Sequence, residues 1–356
     1  MTYLRSRLAA LPAPLLIALT LALAGLAGFT AQAGGLPLPW MIGPLFLVAG
    51  LAMAGLPLRA PPGGRHLGQW AIGTALGLYF TPPVVAELGS HLALVCGVAV
   101  AALVGGGLCA VLTLRLTGVD GPTAFFASLP GGASEMAHMA ERWGGAVDRI
   151  AAAHALRVLL VVAIVPLGLT LAADAEGIQR VPLVRVVVWE RLPLLLAAGL
   201  LGVGVLRLLR VANAWVLGPL FGVGLCVAQG VSLTALPGWA VNGGQILIGC
   251  ALGTRFSPAF FHSAPRFMAV ACLTALLSMV LAGAVAAVLA AATGLPLPTL
   301  ALAAAPGGIA EMCITAKVLQ LGVPLVTVCH VLRVVVLTLG APLGYRLFAR
   351  WTGAED

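Results

Sequence analysis

The chain has 356 residues, of which 61% are hydrophobic and 8% charged, with a mean hydropathy of +1.09. A water-soluble globule keeps about 25% of its residues charged, so a soluble core is excluded and the sequence reads as an integral membrane protein. The net charge of +8, from 19 Lys+Arg against 11 Asp+Glu, implies no nucleic-acid partner, because the basic residues stand singly at segment ends with no cluster able to neutralise several phosphates.

Apolar stretches that approach the ~20 residues of a bilayer span follow one another along the chain. The first, near 8–31, comes after Arg5 and Arg7 and has no clean small-x-small cleavage site. It is long for a signal-peptide core, so a retained first helix is expected. Five more follow near 38–57, 67–86, 90–116, 121–143 and 149–172. A second series lies near 190–209, 213–232, 239–258, 264–292, 297–318 and 324–347. Loops are short, and no appended soluble domain is expected.

The two series are one sequence written twice. SLPGGASEM (128–136) returns as AAPGGIAEM (304–312), placing Pro130 and Pro306 at an offset of 306 − 130 = 176. HALRVLLVVAIVPLG from His154 returns as HVLRVVVLTLGAPLG from His330 at the same offset. So do TGVDGPT (117–123) with TGLPLPT (293–299), and GQWAIGTALGLYFTP (68–82) with GQILIGCALGTRFSP (244–258). WMIGPLF (40–46) matches WVLGPLF (215–221) at 175, one residue less. Such ordered self-similarity marks an internal duplication, read as membrane repeats over 1–176 and 177–356.

Arg/Lys placement bears on the orientation of the copies. The connection 57–67 has Arg59 and Arg65, while 82–90 has no base. In the second copy 233–239 has none, while 255–266 has Arg255 and Arg266. The bias changes sides between equivalent loops. With broken fifth elements that re-enter and a cytoplasmic N-terminus, one side also collects Arg5, Arg7, Arg115, Arg149, Arg207, Arg210, Arg346 and Arg350. The other keeps Arg180, Arg185 and Arg191, diluted by Asp174, Glu176 and Glu190. The expected fold is therefore an all-α polytopic membrane protein of two inverted repeats, each with about five crossings plus one discontinuous helix. Both termini are expected in the cytoplasm of a multi-pass inner-membrane protein. A broken helix that fully crosses is the alternative.

The fifth elements carry the chemistry. Pro130, Gly131 and Gly132 precede Ser134 and Glu135; Pro306, Gly307 and Gly308 precede Glu311. Proline removes a donor and glycine admits unusual dihedrals, and irregular backbone at membrane depth must line a cavity or lie within protein. The half-helix after each break offers free N–H groups and a positive dipole end, with an acid in its first turn. Paired breaks in corresponding positions of two halves point to a transporter's central site. His154-x-x-Arg157 and His330-x-x-Arg333 each share a helix face. Intramembrane ionisable groups are functional candidates, so Glu135 is paired with Arg157 and Glu311 with Arg333, the histidines serving as proton-responsive neighbours. A purely adhesive role for the arginines weighs equally. Gln69 and Gln245 are further candidates, either lining a pathway or bonding between helices. The copies differ at Ser134/Ala310, His138/Ile314 and Glu141/Lys317. The seven cysteines lie mostly in apolar runs without CxxC, so no disulfide, metal site or cofactor is expected.

The paired signatures LPGGASEM…HALRV…PLG and APGGIAEM…HVLRV…APLG resemble the AbrB membrane protein family, whose chains carry a duplicated membrane domain. More distantly, a Pro-Gly-Gly within a broken helix is similar to the bile-acid/sodium symporter and cation–proton antiporter superfamily. That resemblance implies inverted repeats whose discontinuous helices meet at mid-membrane, ion-coupled transport and often a homodimer. The expected function is H⁺- or Na⁺-coupled transport of a small anionic or amphipathic solute, not enzymatic catalysis. The alternative is a membrane-embedded sensor acting indirectly on gene expression, as AbrB-type labels such as "regulator of gene expression" suggest.

Overall fold

The computed structural model describes residues 10–175, 186–256 and 264–353. Arg5, Arg7, Glu176, Arg180 and Arg185, and the side chains of Ser134 and Asp174, lie outside the described residues. The described regular structure is helical throughout. In the first copy the helices are α1 (Ala13–Ala33), α2 (Pro39–Met53), α3 (Gly64–Gly77), α4 (Pro82–Ser90), α5 (Leu92–Thr117), α6 (Gly121–Ser128), α7 (Ala133–Glu141) and α8 (Val147–Ala175). In the second copy, after a 3-10 turn at Trp189–Arg191, come α9 (Leu192–Leu208), α10 (Ala214–Ala228), α11 (Gly238–Gly253), α12 (Pro265–Thr293), α13 (Leu297–Ala304), α14 (Ile309–Leu319) and α15 (Val323–Thr352).

Six of these are long and apolar enough to cross a bilayer: α1, α5, α8, α9 with the 3-10 turn before it, α12 and α15. They are the first, fourth and sixth elements of each copy, and the protein is a multi-pass helical membrane protein. The second elements, α2 and α10, have only 15 residues each, short of the ~20 that span hydrocarbon. The third element of the first copy, read as one stretch over 67–86, is instead two helices at 89° to each other. Pro82 and Pro83 explain the bend: they suit the first turn of a new helix, α4, and cannot continue the hydrogen-bond ladder of α3. The fifth elements are broken as the Pro-Gly-Gly runs predict, into α6/α7 and α13/α14.

The duplication extends to backbone detail. Leu38 before α2 and Asn213 before α10 both adopt the left-handed conformation, at φ 49° and 56°. Gly118 and Gly294 close α5 and α12 with φ 66° and 72°. The chain nevertheless divides into two compact units that each draw on both copies. One holds Met1–Glu87, Thr170–Phe260 and Lys317–Gln320; the other holds Leu88–Leu169, Phe261–Ala316 and Leu321–Asp356.

Within the first unit, contacts are exchanged reciprocally. A Cβ at Gly73 of α3 would strike the Val216 carbonyl and Pro219 of α10; its counterpart Gly249 of α11 faces the Met41 carbonyl and Pro44 of α2. Gly77 meets Leu220 and Val223, and Gly253 meets Leu45 and Val48. Gly68 and Gly244, themselves equivalent, face each other. Such isologous exchange is the signature of two-fold symmetry, here between two halves of one chain. Small residues allow this closeness, as membrane helices require when no hydrophobic force drives them together.

Within the second unit α5 packs on its counterpart α12, and α6 and α13 lie beside them. One end is filled by Phe125, Phe126, Trp143, Tyr345 and Phe348, whose counterparts are Ala301, Leu302, Leu319, Leu169 and Ala172.

The α9–α10 contact gives a direct test of the packing. A Cβ at Gly202 would overlap the Gly218 carbonyl, whereas Gly204 on the same helix has open space. Gly202→Leu is expected to destabilise by about 1–3 kcal/mol through overpacking, and Gly204→Leu to be near neutral. Melting of the detergent-purified variants distinguishes them; equal midpoints would refute the close α9–α10 approach.

Candidate functional site

Breaking a helix in an apolar interior strands the carbonyls of its last turn. Each such carbonyl left without a donor costs roughly 1–3 kcal/mol, and more in hydrocarbon. Around the end of α6 the carbonyls concerned are those of Phe126, Leu129 and Gly131, of which Leu129 also accepts from the Gly131 N–H at 2.9 Å. His154 Nε2 on α8 donates to the Phe126 carbonyl at 2.9 Å, Arg157 Nη1 to Leu129 at 2.8 Å and Arg157 Nη2 to Gly131 at 3.5 Å. At the end of α13 the pattern repeats residue for residue. His330 Nε2 donates to Leu302 at 2.9 Å, and Arg333 Nη1 and Nη2 donate to Ala305 and Gly307. The helical i, i+3 spacing of His and Arg matches the spacing of the stranded carbonyls. The His-x-x-Arg pair is a suture for the break.

The expectation pairs Arg157 with Glu135 and Arg333 with Glu311, whereas the hydrogen bonds just described run from both guanidinia to the backbone of the break. Carbonyls take two bonds from each guanidinium, because the break supplies several acceptors at the right height and only a fork of N–H donors can serve two at once. Arg157 and Arg333 are buried, at 5% and 1% exposure. Among their nitrogens, both Nε atoms are buried without a partner. His154 is fixed as the Nε2–H tautomer, since Nε2 donates to a carbonyl and Nδ1 accepts from Arg157 Nη2 at 2.8 Å. Protonating Nδ1 would break that bond. His330 Nδ1 has no partner and is buried.

The glycines also act otherwise than expected. Gly131, Gly132, Gly307 and Gly308 all lie outside the positive-φ region; Gly132 is extended at φ −70°, ψ 134°. What the motif uses is their lack of a side chain. A Cβ on Gly132 would overlap Glu135 Oε2, and one on Gly308 would overlap Glu311 Oε2. Likewise Met136 lies over Gly131 and Met312 over Gly307, at 2.7–2.9 Å from the position of a Cβ. The Glu-Met dipeptide folds back onto the Gly-Gly dipeptide in both copies. Each carboxylate thereby sits at the N-terminal end of its half-helix, where the dipole favours an anion. Glu311 is buried at 6% exposure and Glu135 is half-buried.

Pro130 and Pro306 line one cavity of about 40 Å³, so the two breaks come together. Its other walls include Val98, Ala102, Gly106, Ser278, Ala282 and Val285. A second cavity of about 10 Å³ is lined by Arg157, Thr113, Ser128, Thr274 and Ser278 among others. These four hydroxyl residues were not singled out in the sequence. Comparison at the 176-residue offset would have marked them, since they stand against Leu289, Ala304, Val98 and Ala102. Gln69 and Gln245 are buried in the first unit, on α3 and α11; Gln245 Nε2 reaches Asn242 Oδ1 at 3.5 Å. His138 and Glu141 are exposed and lie 3.5 Å from each other. The backbone of Ser134 is in the first turn of α7.

A protein-family model described as "Transition state regulatory protein AbrB" matches residues 40–349. The chain is 27% identical over 361 aligned positions to "Uncharacterized protein YhjN" of Bacillus subtilis (strain 168), covering 94% of each chain. It is 24% identical over 314 positions to "Putative regulator AbrB" of Escherichia coli (strain K12), covering 86% of this chain and 89% of that one.

The suture makes a checkable demand. Arg333→Met keeps the length but leaves the Ala305 and Gly307 carbonyls unpaired, an expected loss of at least about 2 kcal/mol. Arg333→Lys, a point donor, should fall between. Folded yield and melting in detergent report this. An Arg333→Met protein that melts like the parent would show that the arginine does not hold the break.

Proposed function

The chain belongs to the AbrB family, and from that footing we propose that it is a secondary transporter of a small anionic or amphipathic solute, coupled to H⁺ or Na⁺. In this reading the repeats are inverted in the membrane, the fifth elements re-enter, and both termini face the cytoplasm across the cell (inner) membrane. The proposal assigns the protein no enzymatic activity and no nucleic-acid partner; its partners are the bilayer, the solute, the coupling ion and a second copy in a homodimer.

The observation that carries it is the single cavity walled by both Pro130 and Pro306. Interrupted backbone is tolerated at membrane depth where it lines a space or is buried in protein, and two symmetric interruptions meeting at one space are what a carrier needs to present a site alternately to each side. Supporting it is the position of Glu135 and Glu311 beside the breaks, each held at a half-helix N-terminus. The reciprocal contacts between copies agree with two halves of equivalent shape, and the switched arginine bias with opposite orientation.

A second reading is favoured by the regulatory wording of the family description and of the E. coli relative. In it the same cavity binds a solute, and the protein reports occupancy without moving the solute. The nucleic-acid chemistry of a direct regulator is lacking from the sequence, so the effect on expression would be indirect.

Uptake into proteoliposomes, screened over small metabolites with and without a pH gradient or Na⁺, separates the two. Flux is expected, and Glu135→Gln and Glu311→Gln are expected to abolish it while the protein inserts and melts normally. Solute binding without flux under every gradient would favour the sensor.

A further inference from the structure

The two cavities of the second unit share a wall, Ser278. The larger, between the breaks, is otherwise lined by apolar residues. The smaller has room for about one water-sized atom and half of its wall is polar. Thr113, Ser128 and Thr274 are buried, and Arg157, also on its wall, has an Nε–H with no partner. A buried N–H without an acceptor is a rare thing in a folded protein, and here it belongs to a cation.

The hydroxyls lie close to acceptors of their own. Thr113 reaches the Cys109 carbonyl at 3.0 Å and Ser128 the Ala124 carbonyl at 2.8 Å, with their oxygens 3.1 Å apart. Thr274 reaches Val270 at 3.0 Å and Ser278 reaches Ala275 at 2.7 Å. A hydroxyl proton can swing from such a carbonyl to a guest. The guest cannot be a cation, which the Arg157 charge repels. A carboxylate suits this wall: one oxygen accepts from the guanidinium and from hydroxyls, as charge-assisted bonds prefer. Neither Glu135 nor Glu311 is on the wall of either cavity, so no fixed anion competes there.

The chemistry is one-sided. Thr113, Ser128, Thr274 and Ser278 correspond to Leu289, Ala304, Val98 and Ala102 across the repeat. The scaffold is two-fold, but the polar wall is built once, as recognition of a solute with unlike ends requires. We propose that the transported solute is a small monocarboxylate: its carboxylate is taken by Arg157 and the four hydroxyls on the wall of the smaller cavity, and its short apolar tail lies in the cavity between Pro130 and Pro306. This rests on the carrier reading, which names the central cavity as the site.

The test uses the full chain in detergent. Its melting is followed with sodium acetate, propionate and butyrate, with the three matching primary amides, and with sodium chloride at equal ionic strength. The carboxylates are expected to raise the midpoint, more so with the longer tails, while amides and chloride do not. Arg157 holds the break and its variants can fail to fold, so the informative variant is Thr274→Val with Ser278→Ala, which installs the residues of the other copy. It is expected to weaken carboxylate binding at least about tenfold, since loss of even one bond to a charged group implies that much, with little change in the ligand-free midpoint. Ser128→Ala should act in the same direction. Equal stabilisation by amides or chloride, no stabilisation by any carboxylate, or full binding by the double variant overturns the proposal. Carboxylate binding without flux in proteoliposomes would overturn the carrier reading and leave the site standing; flux of another solute with no carboxylate binding would do the reverse.

Discussion

A peptide group inside an apolar bundle must find a partner, and everything at the centre of this protein follows from how that demand is met where two helices are deliberately interrupted. Pro130 and Pro306 end one helix before another begins, and the carbonyls left behind have no water to turn to. An imidazole and a guanidinium from the next helix meet them, with the same three acceptors in each copy. The arrangement introduces two buried positive charges into a hydrophobic interior, which is costly unless every donor is used. Both terminal nitrogens of each guanidinium are bonded; the two Nε atoms are not. The interruption is thus stable enough to exist and still chemically unsaturated.

Duplication sets the rest. Helices of one copy pack against those of the other through exchanged glycine contacts, so that Gly73 finds Pro219 and Gly249 finds Pro44. In this setting glycine is used mainly for its size. The same holds at the breaks, where Gly132 and Gly308 leave room for the returning carboxylates of Glu135 and Glu311. A motif that reads as a helix break is, in three dimensions, also a close packing of Glu-Met onto Gly-Gly.

Much of this was legible in the sequence. The breaks are a local signal, and α6/α7 and α13/α14 are interrupted at the Pro-Gly-Gly runs as expected. Partners were less legible. A carboxylate is the obvious mate for an arginine in a string of letters, because backbone carbonyls carry no letter; only in the fold do Leu129 and Ala305 present theirs to Arg157 and Arg333. The bend after Gly77 is signalled by Pro82-Pro83, yet an apolar run hides it. The hydroxyl wall was concealed because Thr113, Ser128, Thr274 and Ser278 are scattered through helices where such residues commonly bond to their own preceding turn.

The division into two units carries a consequence for biogenesis and ancestry. Each unit takes helices from residues far apart in the chain, so the first copy to leave the ribosome has no complete partner for α2 or α3 until α10 and α11 arrive. A single-copy forerunner would have met the same need by pairing with a twin. Fusion of two such genes then freed each half to mutate alone, which is how a symmetric frame could come to hold an asymmetric interior.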